Sequence, residues 1–166
     1  MLTVKMIRWS PFFAGLSEEQ VAHIARAANE IDVGIGHIFF SEGDALDTFY
    51  LVQEGTVDIT INIPDREQEH TYVEQLTRNM NMEPITVTTI GVGDIFGWSA
   101  LIPPHESTAT AISATHCRVI AVDCKSLRSA YEQDCEFHNL MVIKAAQTVR
   151  RRLRDMRIES LAFVAQ

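Results

Sequence analysis

The chain has 166 residues, of which 46% are hydrophobic and 22% charged, so it can bury a core and fits one domain rather than a disordered segment. Its formal net charge of −8 argues against a protein that coats nucleic acid. Its apolar runs fall short of the ~18 to 20 residues that cross a bilayer. No secretion signal precedes Ser10, and the three cysteines, Cys117, Cys124 and Cys135, form no C-x-x-C pair. We therefore predict a cytoplasmic protein without membrane contact.

The first 30 residues are predicted to form an apolar arm followed by one helix. Aromatic residues cluster around Pro11 in the arm, which we expect to dock on the domain. The helix begins after Ser17, because S-E-E-Q is a capping box with Gln20 three residues after the Ser17 cap. Apolar residues then recur at helical spacing, and the helix is expected to end near residues 29–30.

Between residues 31 and 123, short β-type runs alternate with turns that contain glycine. Strands at such regular spacing indicate a β-sandwich or barrel. The predicted strands cover residues 31–33, 37–40, 48–52, 56–63, 85–90, 108–114 and 118–122. In residues 56–63, T-V-D-I-T-I-N-I, apolar and polar residues alternate, which predicts one buried and one wet face. Residues 64–83 are polar and charged, and are interpreted either as an exposed loop that extends a hairpin or as an arm that contacts a partner.

A glycine-rich stretch covers residues 91–111, and we expect its first half to be a strand. Its glycines leave room where the backbone bends or where another group approaches closely. A glycine turn that opens into a short helix near residues 98–101 points backbone N–H groups in one direction, which suits a phosphate. An ordinary surface loop uses the same residue types.

The remaining residues return to helical patterning. A short helix is predicted over residues 124–131 and a long one from about Asp134 to near the end. The long helix carries a heptad stripe at Val142, Ala146, Val149, Leu153, Met156, Ser160 and Phe163. We expect the N-terminal part of this stripe to pack on the domain and the remainder to pack on a twin helix in a homodimer. Its arginines are interpreted as solvated or as salt-bridging between subunits, because Asp155 and Glu159 interrupt them.

The stretch F-F-S-E-G-D-A-L-D-T-F-Y-L-V-Q-E-G-T-V-D-I, residues 39–59, resembles the cyclic nucleotide-binding domain family. That family includes the catabolite activator class of transcription regulators, kinase regulatory subunits and gated channels. P-F-F-A-G-L-S from Pro11, G-D-I-F-G from Gly93 and the two C-terminal helices match in order. The resemblance implies a mainly β fold, a double-stranded β-helix or jelly roll with an N-terminal helix and a long C-terminal helix. Residues 1–30 would be the arm and helix, 31–123 the ligand-binding β-roll, and 124–166 the C-terminal helices that dimerise.

The resemblance also implies a binding site. The family's phosphate-binding cassette lies between two strands, where this chain has residues 97–109, here called the cassette segment. In the family a glutamate holds the ribose 2′-hydroxyl and an arginine neutralises the cyclic phosphate, but here Trp98 and Ser107 stand at those positions. The predicted ligand-binding residues are Gly97, Trp98, Ser99, Ala100, Leu101, Ser107, Thr108 and Ala109. His105 is the nearest candidate cation and Glu106 would repel a phosphate, while Trp98 either fills the old sugar site or stacks on a flat ligand.

Two functions follow from these residues. The first is a sensory regulatory domain in signal transduction, whose ligand is a cyclic nucleotide or another small nucleotide-like molecule and which passes its signal to a regulatory protein partner or its twin. The second is a ligand-independent dimerisation or interaction module with a degenerate pocket. Neither a nucleophile–base pair nor metal-ligand spacing among the histidines is present, so we expect no catalytic residue, no metal and no enzyme. The chain stops at Gln166 without a helix-turn-helix, so nucleic acid is not an expected partner.

Overall fold

The computed structural model describes residues 2–64 and 82–164, and shows two four-stranded antiparallel sheets around one hydrophobic core. The strands are β1 (Ala28–Val33), β2 (Ile38–Phe40), β3 (Thr48–Glu54), β4 (Val57–Pro64), β5 (Met82–Ile90), β6 (Ile95–Phe96), β7 (Thr110–Ser113) and β8 (Cys117–Asp123). The strand orders are β1-β8-β3-β6 and β2-β7-β4-β5. The predicted mainly β jelly roll with flanking helices is confirmed.

The centre of the first sheet is the pairing of β3 with β8. Leu51 lies opposite Ile120 and Val52 opposite Val119, and all four side chains are buried. β-branched and other apolar residues favour such strands because they pack well on a pleated surface that is covered. This sheet holds β6, and therefore the start of the cassette segment, against β3 through the pair Tyr50 and Phe96.

The hairpin of β4 and β5 forms the outer part of the second sheet. Pairing runs from Val57 with Ile90 to Pro64 with Met82, so the structure describes the hairpin up to the predicted arm. Residues 65–81, which carry most of that prediction, lie outside the described residues. The register shifts between Ile59 and Thr60, which leaves Val87 of β5 as an extra, unpaired residue.

The N-terminal segment is more helical than expected. A helix, α1 (Leu2–Trp9), and a 3₁₀ turn (Pro11–Phe13) replace the predicted arm, and Ile7 and Phe13 are buried. The second helix, α2 (Glu18–Arg26), has the predicted capping box: Ser17 Oγ accepts from the Gln20 N–H at 3.2 Å, and Gln20 Oε1 accepts from the Ser17 N–H at 3.0 Å.

The expected end of α2 near residues 29–30 is wrong, because those residues belong to β1. Asn29 pairs with Ala121 and Glu30 with Ile120, so sheet pairing takes over where the helical pattern still continued in the sequence. The strand expected before Gly97 is likewise reduced to two residues, since Gly93 adopts φ 87° and the Asp94 N–H closes a turn on the Gly91 carbonyl at 3.2 Å.

The C-terminal part contains a short helix, α3 (Arg128–Gln133), and a long one, α4 (Cys135–Val164). The predicted start of the short helix at residue 124 is wrong, because Asp123 accepts hydrogen bonds from the Lys125 N–H at 2.9 Å and the Ser126 hydroxyl at 2.6 Å and forms a turn. Helix α4 packs on the domain through a buried row, which we call the inner row: Phe137, Met141, Ala145 and Thr148.

The inner row differs from the predicted heptad stripe. Ala146, which the stripe placed against the domain, is exposed, while Val142 and Val149 are half-buried. The inner row precedes the stripe by one residue at each step, and one residue along an α-helix is a rotation of about 100°. The stripe residues therefore lie beside the contact with the domain rather than in it.

Candidate functional site

A cavity of about 280 Å³, which we call the β-roll cavity, lies between the second sheet, the cassette segment and helix α4. Its walls are mostly apolar side chains: Phe40, Ile59, Ile61, Val87, Ile90, Ile95 and Phe96. Helix α4 crosses it and contributes Arg152, Asp155, Met156 and Glu159. Pockets for small molecules usually measure roughly 300 to 1,000 Å³, so this cavity suits a compact ligand.

The cassette segment reaches the β-roll cavity with most of the predicted binding residues. Gly97, Trp98, Ser99, Ser107, Thr108 and Ala109 line it. Ala100 and Leu101 do not; they are buried in the 3₁₀ turn Trp98–Leu101 and line a second cavity of about 310 Å³ on the other side of that turn. The structure thus brings together both ends of the segment but turns its middle away from the cavity.

Gly97 is required where the segment begins. Its φ is 72°, in the left-handed region that favours glycine. A Cβ atom there would lie 3.1 Å from the Thr48 carbonyl oxygen and 3.3 Å from ring atoms of Phe40 and Tyr50. The turn into the 3₁₀ helix is therefore packed against β2 and β3, which fixes the position of Trp98.

The E-G-D turn at residues 42–44 holds the other end of the segment in place. The Gly43 N–H donates to the Ser107 carbonyl and the Ser107 N–H donates to the Asp44 carbonyl, both at 2.8 Å. The Leu46 N–H donates to the His105 carbonyl at 2.7 Å. The motif that carried the family resemblance thus positions the cassette segment through backbone hydrogen bonds.

The hydroxyl of Ser107 is already engaged within its own turn. Ser107 is only 4% exposed, its Oγ donates to the Ala109 carbonyl, and it accepts from the Ala109 N–H at 3.3 Å. This side chain satisfies the local backbone, so it replaces neither the charge nor the reach of an arginine.

The expectation that His105 and Glu106 decide the electrostatics of the site is not met. His105 faces the second cavity, where its Nδ1 lies 3.1 Å from the Ala100 carbonyl, and Glu106 is exposed and forms a bridge with Ala45. Neither residue lines the β-roll cavity. His105 has φ 61°, in the left-handed region that is uncommon for residues other than glycine.

Trp98 is half-buried against the hydrophobic core and forms part of the cavity wall. A cavity of about 280 Å³ remains beside the ring. The indole thus contacts both the core and the cavity, and the two readings of Trp98, as a filler of the old sugar site and as a stacking platform, stay predictions.

The cation at this site is Arg152, which the sequence analysis did not single out. Its Nη1 donates to Thr88 Oγ1 at 3.4 Å, and its Nη2 is buried without a hydrogen-bond partner among the described residues. Burial lowers the pKa of the Arg152 guanidinium, and the carboxylate of Asp94 opposes that shift. The guanidinium nevertheless stays charged at neutral pH because its unperturbed pKa is so high.

A signal for Arg152 was present in the sequence. Phe137, Met141, Ala145 and Thr148 follow one another at steps of four, four and three, and the next step of four reaches Arg152. When the buried face of a helix continues to an arginine, that arginine lies against the domain rather than in solvent. The heptad stripe contains more residues than this row, so it was chosen as the buried face instead.

The second cavity is bordered by the 3₁₀ turn, α3 and the start of α4. Burial, with help from the charges of Asp123 and Asp47, raises the pKa of the Cys124 thiol to about 12. Burial also raises the pKa of Tyr131, whose hydroxyl oxygen has no partner among the described residues. These groups stay neutral at physiological pH.

The family model described as "Cyclic nucleotide-binding domain" matches residues 31–134. The chain belongs to the cyclic nucleotide-binding domain family. Its β-roll cavity, bounded by the cassette segment, is where the family resemblance placed the ligand.

Among curated relatives, the CRP-like cAMP-activated global transcriptional regulator of Mycobacterium tuberculosis is 24% identical over 139 residues. The match covers 84% of this chain and 55% of the regulator, so the chain spans about half the length of that relative. The cGMP-dependent protein kinase, isozyme 1, of Drosophila melanogaster is 29% identical over 75% of this chain and 14% of the kinase.

Among solved structures, a cyclic nucleotide-binding domain from Methylobacillus flagellatus superposes with a TM-score of 0.73 at 17% identity, covering 96% of this chain and 81% of that one. The regulatory subunit of a cAMP-independent protein kinase A from Trypanosoma brucei, a mutant bound to cAMP in its A site, has a TM-score of 0.62 at 18% identity. It covers 89% of this chain and 44% of that one. These similarities show the shared fold.

Two features, a metal-binding cluster and a membrane-spanning helix, are absent from the described residues. Within residues 2–64 and 82–164, no group of three or more His, Cys, Asp or Glu side chains could hold a metal ion. In that same part of the chain, no helix is both long and apolar enough to span a membrane.

Proposed function

We propose that this chain is a non-enzymatic regulatory domain that senses a small molecule in the β-roll cavity. The observation that supports this is the composition of the cavity wall: the cassette segment forms one side and helix α4 forms another. A ligand in the cavity contacts both. Its occupancy is therefore linked to the position of α4, and such linkage is what a sensor requires.

Helix α4 can respond at low energetic cost. Beyond Thr148 its side chains are mostly exposed, and among the described residues the polar ties between this distal part of α4 and the domain are the Arg151–Asp94 ion pair at 3.0 Å and the Arg152–Thr88 hydrogen bond at 3.4 Å. Exposed ion pairs contribute roughly 0 to 1 kcal/mol. A ligand that adds contacts to α4 can therefore shift its equilibrium position.

The output of the domain is proposed to be an association of two copies through α4. Leu153, Met156 and Leu161 are 48%, 47% and 69% exposed on the distal half of the helix. Leu153 and Met156 belong to the predicted heptad stripe, which a twin helix would cover. A regulatory protein partner could engage the same surface, and the homodimer is the arrangement that the repeat favours.

Cyclic nucleotides are the first ligands to test because of the family. The Trypanosoma brucei subunit is named as cAMP-independent, yet a mutant that includes a threonine-to-arginine change is bound to cAMP. In this chain Trp98 and Ser107 stand where the family resemblance places the glutamate and the arginine, so a standard cyclic nucleotide is expected to bind weakly.

A thermal-shift and fluorescence screen tests the proposal. The Trp9→Phe variant leaves Trp98 as the single tryptophan, and the panel contains cyclic AMP, cyclic GMP, cyclic dinucleotides and small organic acids. A true ligand should raise Tm by about 5 to 10 °C at a hundredfold excess over Kd and should change Trp98 emission. Ala109→Phe, which fills the cavity, should abolish both effects, whereas Ala22→Phe on exposed α2 should not.

The alternative is a ligand-independent interaction module. It is favoured by the cassette segment's lack of charged side chains among the described lining residues and by the engaged hydroxyl of Ser107. If no compound in the panel changes Tm and Ala109→Phe leaves the oligomeric state unchanged, sensing is refuted and the module remains.

A further inference from the structure

We propose that the β-roll cavity takes a compact organic monocarboxylate with an apolar body, held with its anionic end on Arg152 of α4 rather than on the cassette segment. This inference rests on the proposed function, because it names the ligand class of the same site. It reverses the orientation that the family resemblance implies, in which the anion lies on the cassette.

The distribution of charge around the cavity sets the orientation. Arg152 is the one basic side chain among the described lining residues, and it stands on α4. The cassette segment contributes glycine, tryptophan, serine, threonine and alanine to the wall, none of which carries a charge. An anion taken out of water needs a cation or several charge-assisted donors, so its place in this cavity is beside α4.

The same helix limits the charge of the ligand. Asp155 and Glu159 line the cavity one and two turns beyond Arg152. A dianion, such as a phosphate monoester, costs more to take out of water than a monoanion, and it would find one guanidinium beside two carboxylates. A monoanion costs less to desolvate and can pair with Arg152, while the exposed carboxylates of Asp155 and Glu159 stay solvated.

The guanidinium has unused hydrogen-bonding capacity. Nη1 makes one long bond to Thr88 at 3.4 Å, and the buried Nη2 has no partner within the described residues. A buried donor without a partner destabilises the protein, and a carboxylate can accept from both nitrogens in the planar fork. A carboxylate would therefore supply Nη2 with the acceptor that the described protein atoms do not provide.

The remaining walls select against polar ligands. Phe40, Ile59, Ile95, Phe96 and Met156 offer no side-chain hydrogen bonds. The Ser107 hydroxyl is engaged with Ala109, and Thr88 Oγ1 accepts from Arg152. The ribose and purine of a nucleotide would find few replacement partners there, namely the hydroxyls of Ser99 and Thr108 and the carboxylates on α4, whereas an aryl or alkyl group gains from burial against the apolar walls.

The test compares acids with their neutral esters. Isothermal titration would use phenylacetate, indole-3-acetate and octanoate, the methyl ester of each, and cyclic AMP and cyclic GMP. Removing the negative charge from the ligand should weaken binding roughly 10- to 100-fold, as expected for one charge-assisted contact. Because this comparison uses the unmodified protein, it does not depend on any variant folding correctly.

Variants then locate the contact. Arg152→Met, which keeps the bulk of the side chain, should weaken binding of the acid by the same factor and leave the ester unchanged. Arg154→Met removes an equal charge from an exposed position on the same helix and should have no effect on either. Arg152→Lys should give an intermediate affinity, because lysine keeps the charge but loses the fork.

The outcomes separate this inference from the proposed function. Saturable binding of a carboxylate that depends on Arg152 supports both. If cyclic nucleotides bind and carboxylates do not, or if acids bind equally well to Arg152→Met, the inference is wrong and the sensor stands. If neither class binds, the inference is wrong, and the wider screen with Ala109→Phe decides the sensor separately.

Discussion

Restoring the family's two charged residues should convert the cassette segment into a cyclic nucleotide site. The perturbation is the double variant Trp98→Glu and Ser107→Arg. Both positions line the β-roll cavity, so an arginine at 107 can extend into its 280 Å³ and the loss of the indole ring enlarges it. Two charge-assisted contacts of about 1.5 to 3 kcal/mol each give about 3 to 6 kcal/mol, or roughly 10² to 10⁴-fold tighter binding.

The same substitutions cost stability. Ser107 is 4% exposed and its hydroxyl closes a turn with Ala109, which is worth about 1 kcal/mol. Removing the half-buried ring of Trp98 costs about 1 to 2 kcal/mol of apolar burial. The unliganded double variant should therefore melt roughly 4 to 12 °C below the parent, and cyclic AMP should recover part of that loss.

Calorimetric titration of cyclic AMP into the parent, both single variants and the double variant measures the gain. Ser129→Arg on exposed α3 is the matched control, since it adds the same charge far from the cavity wall. A folded double variant with no gain over the parent would refute the assignment of positions 98 and 107. A gain in Ser129→Arg would show that net charge alone is responsible.

Three more outcomes follow from the described residues. Leu153→Glu should give monomers by size exclusion with light scattering, whereas the exposed control Gln147→Glu should not. A molecular mass of Leu153→Glu equal to that of the parent would show that the heptad stripe does not hold a dimer together. Ser17→Ala should lower stability by about 1 kcal/mol and Tm by about 2 to 4 °C, because the cap of α2 is lost. At pH 8, exposed Cys135 should react with iodoacetamide well before Cys124, whose pKa of about 12 leaves about one thiol in ten thousand ionised; equal rates would contradict its burial.

The local rules in the sequence predicted the sheets and the capped helix well. The alternation in β4 and the capping box at Ser17 depend on neighbours two or three residues away, so a single sequence contains them. Predicted element boundaries were wrong where a residue distant in sequence determines them. Asn29 continues the helical pattern of α2 but pairs with Ala121 of β8. The bulge at Val87 likewise depends on pairing that periodicity does not reveal.

The cation in the cavity wall could not be predicted from the cassette segment because it comes from another element. Arg152 reaches the cavity through the rotation of α4, and that rotation is set by the burial of Phe137 and Met141. An error of one residue in choosing the buried row rotates the helix by about 100°. The predicted heptad stripe contains that error, and it therefore placed Arg152 in solvent instead of at the cavity.

The two faces of α4 meet at Met156, which lines the cavity and is also 47% exposed in the stripe. Under the proposed function, a ligand that pairs with Arg152 would fix the rotation of the helix, and the same rotation would determine how Leu153 and Met156 face a second copy. Ligand binding and dimerisation would then both depend on the position of α4. Thermodynamic linkage requires reciprocity: if the ligand changes the dimerisation constant by some factor, dimerisation changes the affinity for the ligand by the same factor. A monomeric Leu153→Glu protein whose ligand affinity equals that of the dimer would show that the two faces act independently.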